Sequence, residues 1–187
     1  MRSTPWPRRR RARNPLGAIL TLAAIAAIAV VVAWLQPPAP PLSGAAYAVD
    51  GDTLRIGQTR IRLIGIDAVE LDQMCTEASG REWPCGQVAR SFLADLVAGS
   101  ETTCAPDGRD RYGRTLARCS TGGADLGGEM AAAGWAVGEL EYALAVAEAR
   151  GARRGIWAGS FVNPADWRRD KGADNFSLWN WILRWFG

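Results

Sequence analysis

Three short stretches carry the side chains that could do chemistry: Asp50-Gly51-Asp52-Thr53; Ile61-Arg62-Leu63-Ile64-Gly65-Ile66-Asp67-Ala68-Val69-Glu70; and Asp110-Arg111-Tyr112-Gly113-Arg114. The carboxylates of Asp52, Asp67 and Glu70 can accept protons or serve as hard oxygen ligands for a cation. The arginines supply fixed positive charge, because a guanidinium pKa above about 12 keeps them out of ordinary proton transfer. Taken singly, each stretch has a structural explanation. Asp-Gly and Tyr-Gly are common turn pairs, and Arg62 fits a solvated position on a strand. Together, in this order, they point to one site.

The chain contains no histidine. Ser-His-Asp and Cys-His catalysis, histidine-ligated zinc and histidine bases are therefore excluded, and acid-base work falls to carboxylates. An oxygen-liganded metal such as calcium suits that inventory. The formal charge of +3 is unevenly spread. Six of the 22 basic residues lie in residues 1–15, so the rest holds 16 against 19 acidic ones, a net −3. Such a body argues against a non-specific DNA coat, which must neutralise many phosphates, but it leaves room for a local arginine cluster.

The elements that must hold these residues are short. Ala46 to Val49, Thr53 to Ile56 and Arg60 to Ile66 have strand patterns, the second and third joined by a turn at Gly57-Gln58. Thr102 to Ala105 and Thr115 to Cys119 are two further strands around the Gly- and Asp-rich loop. Gln87 to Val97 has an amphipathic helix pattern through Val88, Phe92, Leu93 and Leu96, and Leu126 to Ala133 and Tyr142 to Arg154 also have helical patterns. Five short strands with interspersed helices predict an α+β fold, a small OB-type β-barrel, rather than a doubly wound sheet.

Residues 16–35 carry no charge and as a helix would be about 30 Å long, the thickness of a bilayer core. With a basic arm over residues 1–15, the positive-inside rule predicts a single-pass transmembrane anchor whose C-terminal side lies outside the cytoplasm. A cleaved signal peptide is the alternative, although its best small-x-small site, Ala46-Tyr47-Ala48, falls on a strand. The domain plan is thus a basic arm (1–15), an anchor (16–35), a Pro-rich linker (36–43), the folded domain (44–172) and a Trp-rich tail (173–187). Residues 176–186 of that tail are apolar nearly all round, too short to cross a bilayer but suited to its interface or to docking on protein.

All four cysteines follow the anchor, where an oxidising compartment favours disulfides over zinc. Of three possible pairings, Cys75 with Cys85 and Cys104 with Cys119 are expected. The second would tie the strands beside the Asp107 to Gly113 loop, and the first would pin the loop after the strand ending near Ile66.

The three stretches also strongly resemble the thermonuclease (staphylococcal nuclease-like) family, whose pattern is D-G-D-T, then R-L-x-x-[IV]-D-x-x-E, then D-x-Y-G-R. The resemblance covers about residues 46 to 170, including Gly155-Ile156-Trp157. It implies a five-stranded OB barrel with three helices, and a Ca²⁺ held by the carboxylates of Asp52 and Asp67 and the main-chain carbonyl of Ala68. This chain has Ala68-Val69 where the family usually has Thr-Pro, a change that keeps the carbonyl. Glu70 matches the general base, and Arg62 and Arg114 match the arginines that grip the scissile phosphate. Arg111, Tyr112 and Tyr142 fall at positions expected to cradle the nucleotide. The implied function is a monomeric Ca²⁺-dependent nuclease that cleaves DNA or RNA to 3′-phosphates. The alternative is a membrane-tethered OB module that binds nucleic acid or protein without catalysis.

Overall fold

The computed structural model describes residues 15–35, 39–138 and 140–171, and the chain divides into two compact units between Pro38 and Ala39. The first unit holds helix α1 (Pro15–Leu35), with no acidic residue in its first turn and no basic residue in its last. Its described side chains are exposed throughout. Among the described residues no helix is long and apolar enough to cross a membrane; the side chains of α1 are described without a break only over residues 16–32. The tail 173–187 and residues 1–14 of the arm 1–15 lie outside the described residues.

The second unit begins with β1 (Leu42–Gly44) and β2 (Ala46–Ala48), separated only by Ala45. β3 (Thr53–Ile56) and β4 (Thr59–Leu63) form the hairpin expected around Gly57, whose φ of 56° is the left-handed conformation glycine tolerates. β5 (Ile66–Ala68) follows at once. Next come a two-stranded ribbon, β6 (Cys75–Thr76) and β7 (Glu82–Trp83), and helix α2 (Cys85–Val97). The chain continues through β8 (Thr102–Arg109), β9 (Thr115–Thr121), β10 (Ala124–Asp125), helix α3 (Leu126–Ala132) and β11 (Ala136–Gly138). A 3-10 turn (Leu140–Tyr142) leads into helix α4 (Ala143–Gly151), a second 3-10 turn (Gly155–Ala158) follows, and a helix over 164–171, α5, comes last.

The main sheet has seven strands in the order β1-β8-β9-β4-β3-β2, with β10 beside β9, rather than the five expected. One of the two additional strands, β1, has a local cause. Gly44, at φ 156°, bends the first strand, so that β1 pairs with β8 while β2 pairs with β3 at the opposite edge. The two edges are therefore consecutive in the chain, and the sheet curls into an OB-type half-barrel. β4 and β9 pair in parallel, which brings the segment after β9's preceding loop alongside Arg62. Among its described residues the unit also has four helices where three were expected, α5 being the addition.

Burial along β9 alternates, with Thr115, Ala117, Cys119 and Thr121 facing in. α2 buries Cys85, Ala89, Leu93 and Val97, a stripe at every fourth residue, while Val88 is exposed. The expected face through Val88, Phe92, Leu93 and Leu96 is thus rotated. Small Ala89 lets the helix approach the barrel closely, where larger apolar residues would hold it off. The disulfides join Cys75 to Cys85 and Cys104 to Cys119. The second crosses the β8–β9 pair at directly opposite positions.

Candidate active site

Asp52 is set by the turn that precedes β3. Its amide donates to Asp50 Oδ1 at 3.0 Å, and the Val49 amide closes the turn on the Thr53 carbonyl at 2.8 Å. Gly51 is required there, since a Cβ at that position would lie 2.7 Å from Ala68 Cβ and 3.3 Å from Ala89 Cβ. That close approach sets Asp52 against β5, where the Ala68 amide donates to Asp52 Oδ2 at 3.2 Å. Asp52 is 3% exposed. Burial pushes its carboxyl up to about 7, opposed by the charge of Arg62 and reinforced by Asp50.

Arg62 lies opposite Thr53 in the β3–β4 ladder. One guanidinium nitrogen donates to Asp52 Oδ1 at 2.7 Å and the other to Asp67 Oδ1 at 2.6 Å. Burial alone would lower its pKa, yet the two aspartates raise it on balance. One planar fork therefore gathers an aspartate from the turn before β3 and one from β5.

Glu70 follows β5 in a turn built on the wholly buried Gln73. Gly86, at the start of α2, is pressed on this turn so tightly that a Cβ there would fall 1.8 Å from the Glu70 carbonyl oxygen. The Cys75–Cys85 bond fixes the same turn to α2 from the other side.

Arg114 ends the β8–β9 connection. Asp110 Oδ1 accepts from the amides of Tyr112 and Arg114, both at 2.9 Å, and Oδ2 accepts from Arg114 Nε at 2.7 Å. The other end of the guanidinium reaches Thr53 Oγ1 at 3.5 Å, which itself donates to Asp52 Oδ1 at 3.1 Å. Tyr112 is exposed, with Arg111 stacked 4.8 Å and Arg114 5.7 Å from its ring centroid.

Arg62, Glu70, Arg111, Tyr112 and Arg114 line one open cleft of about 1370 Å³. Seven arginines against three carboxylates line it. In a body of net charge −3 beyond residue 15, this concentration of positive charge focuses the field on one concave surface.

Tyr142 stands elsewhere. It is 8% exposed, donates its hydroxyl to Asp125 Oδ2 at 2.7 Å and packs against Gly65 and Gly127. Burial first, and Asp125 second, push its hydroxyl well above the ordinary tyrosine range. It does not line the cleft, so the expected nucleotide contact is corrected to a core hydrogen bond. Its neighbours explain the placement, because only glycines leave room for the ring.

Two residues of the site were not foreseen. Arg168, on α5, donates to Asp67 Oδ1 at 2.9 Å, Asp67 Oδ2 at 2.8 Å and Glu70 Oε1 at 2.8 Å. Gln73 donates Nε2 to the Val162 carbonyl at 2.6 Å, joining the Glu70 turn to the segment before α5. The available signal was Asn163-Pro164, an N-cap followed by proline at the first helical position; Asn163 Oδ1 caps the Ala165 amide at 3.0 Å.

Among the described residues no cluster of three or more carboxylate, histidine or thiolate groups gathers to hold a metal. The carboxylate oxygens that do converge are those of Asp52 and Asp67, which share one guanidinium, with Ala68 following Asp67 on β5 and donating its amide to Asp52. The buried, incompletely neutralised Asp52 beside Asp50 supplies the negative charge that a hard divalent cation would offset, so these residues fit one.

Residues 60–159 match the model of a family described as "Staphylococcal nuclease homologue". A protein described as "Succinoglycan biosynthesis protein ExoI", from Rhizobium meliloti, is 35% identical over 157 residues, covering 78% of this chain and 82% of that protein. An "Uncharacterized endonuclease" of Haemophilus influenzae is 31% identical over 134 residues, with 65% and 70% covered. A "Probable staphylococcal-like nuclease CAN2" of Oryza sativa subsp. japonica is 32% identical over 119 residues, 60% of this chain but 30% of the longer plant protein.

Proposed function

Because the chain belongs to the staphylococcal nuclease homologue family, we propose that it is a Ca²⁺-dependent nuclease that hydrolyses phosphodiester bonds of DNA or RNA. The observation that carries this reading is the meeting of Arg62, Glu70 and Arg114 in one cleft, beside an Asp52–Asp67 pair already joined by Arg62. A binding module needs cationic and aromatic contacts, but it has no use for a carboxylate base beside one buried and one half-buried aspartate.

Asp52, Asp67 and the Ala68 carbonyl would hold the cation, which supplies Lewis-acid polarisation of a phosphoryl oxygen when bound. Arg114, fixed by Asp110, presents its fork to the scissile phosphate, and Arg62, held between Asp52 and Asp67, adds a second guanidinium from β4. Glu70 takes a proton from the attacking water as its oxygen bonds to phosphorus. The P–O5′ bond breaks, the 5′ oxygen takes a proton from solvent, and the 3′-phosphate remains. The two guanidiniums stabilise the added negative charge of the five-coordinate transition state.

Residues 16–35 form the anchor in this reading, residues 1–15 the cytoplasmic arm, and the disulfide-bonded domain faces an oxidising, extracytoplasmic compartment as a monomer. Residues 176–186 would rest at the membrane interface.

The test is digestion of single-stranded DNA and RNA by the detergent-solubilised full chain with Ca²⁺ or EGTA. Chelation should abolish cleavage, and Glu70→Gln and Arg114→Ala should each lower kcat by about 100-fold or more. Cleavage that ignores both chelator and substitutions would sink the assignment. Extraction of membranes at alkaline pH tests the anchor, which should keep the protein in the pellet.

A further inference from the structure

We propose that Arg168 is an active-site positioning residue, supplied by a helix outside the matched family region, which aligns the base Glu70 with the metal-ligand Asp67. The family model ends at residue 159, whereas α5 spans 164–171. The inference rests on the nuclease reading and adds a residue to its site.

Five side chains form a continuous row of alternating charge: Asp52, Arg62, Asp67, Arg168, Glu70. The links are 2.7 Å, 2.6 Å, 2.8 Å and 2.8 Å in that order. Arg168 uses both terminal nitrogens on Asp67 and shares one of them with Glu70. A carboxylate on a turn would otherwise sample several rotamers; a shared guanidinium restricts Glu70 and Asp67 to one mutual orientation.

The placement of α5 is itself built. Ser160 and Thr76 exchange backbone hydrogen bonds at 2.9 and 2.8 Å, so the approach to the helix is bridged to the loop that follows Glu70. Gly159 makes that contact possible, since a Cβ there would lie 2.0 Å from the Thr76 carbonyl oxygen. Gln73 adds the Val162 bond, and Lys171 pairs with Asp72 at the far end of the helix. Residues 72–76 thus hold α5 and the segment that leads into it, and Arg168 points back at Asp67 on β5 and at Glu70 in the turn after it.

The same contacts give Arg168 a second, opposed effect. A cation bound by Asp67 must draw that carboxylate away from a guanidinium that already engages both its oxygens. Removing Arg168 should therefore ease metal binding while it loosens the base. A merely structural contribution would weaken both.

The experiment compares the wild-type full chain with Arg168→Gln and Arg168→Lys. Calcium binding is followed by calorimetry without substrate, and kcat and KM are measured on single-stranded DNA. Arg168→Gln should lower kcat by about tenfold or more with KM changed by less than about threefold, since it acts through the base. Its calcium affinity should rise about two- to fivefold, the scale of a half-exposed ion pair. Arg168→Lys should recover part of kcat, because one ammonium can hold either carboxylate but not fork across both. The assignment is overturned by an Arg168→Gln enzyme with kcat at or above wild type. It is equally overturned if kcat and calcium affinity fall together with no recovery by lysine. A wild-type chain that neither cleaves nor binds calcium removes the nuclease reading itself; a cleaving wild type matched by Arg168→Gln in both measurements removes only this proposal.

Discussion

Glu70 and Gln73 bind each other reciprocally: the Glu70 amide donates to Gln73 Oε1 at 3.1 Å, and the Gln73 amide donates to the Glu70 carbonyl at 2.8 Å. With its Nε2 on Val162, the wholly buried Gln73 satisfies polar groups from two segments far apart in sequence. Gln73→Met keeps the volume and removes the polar end. The Glu70 amide and Val162 carbonyl then lose their partners, at about 1–3 kcal/mol each. Chemical denaturation should show a loss of about 2–4 kcal/mol, with kcat falling as well because the base loses its seat. A fully stable, fully active variant would show that the turn is held by other means.

Asp52 gives a pH dependence with a definite sign. Burial holds its carboxyl near 7 against an ordinary value of 3.8, so the metal-free folded chain binds this proton more tightly than the unfolded chain does. The resulting stability is full below about 4 and is lost as pH rises through about 7. In a chelator, the wild type should therefore lose more stability between pH 5 and pH 8 than Asp52→Asn, which has no such proton. Calcium, binding the ionised form, should reduce that difference, and its affinity should fall as pH drops below about 7. Equal pH slopes for the two proteins would contradict the account.

These two residues mark what the sequence made legible and what it hid. Asp52, Arg62 and Asp67 lie within sixteen residues, in the turn before β3, on β4 and on β5, so the β3–β4 hairpin and the short step to β5 bring them together. Arg168 is 101 residues from Asp67, and no periodicity links positions that meet only when the last helix docks. Tyr142 failed for a different reason. Its hydroxyl suits a nucleotide as well as a core carboxylate, and only the flanking Gly65 and Gly127, themselves distant in sequence, decide the matter. The strand β1 escaped notice because residues 36–43 read as a Pro-rich linker, and a glycine after them does not say which edge the preceding residues will join.

The Cys104–Cys119 bond joins directly paired strands and closes a separation of 15 residues that contains the Arg114 loop. In the chain-entropy account a loop of that size contributes about 3 kcal/mol. Replacing both cysteines with alanine should lower stability by roughly that amount, and the Cys75–Cys85 bond should remain intact by mass spectrometry. Because the loop is also tied by Asp110, calcium-dependent activity at low temperature should survive. A double variant without activity but with unchanged stability would reverse the roles assigned to the bond and to Asp110.

Asp110 reaches the chemistry only through Arg114. Its Oδ1 accepts two backbone amides and its Oδ2 holds Arg114 Nε, and those bonds outweigh the effect of burial to hold its carboxyl below the ordinary range. The stability linked to it is therefore present above the unfolded carboxylate pKa and lost as pH falls through the lowered one. Asp110→Asn keeps an oxygen for the amides but gives up the charge that fixes the guanidinium, whereas Asp110→Ala gives up both. Turnover should fall about tenfold in the first and about 100-fold in the second, with single-turnover cleavage of a defined oligonucleotide as the measure. The order matters more than the size. If alanine were the milder change, the loop would be shaping Arg114 by some contact other than this carboxylate.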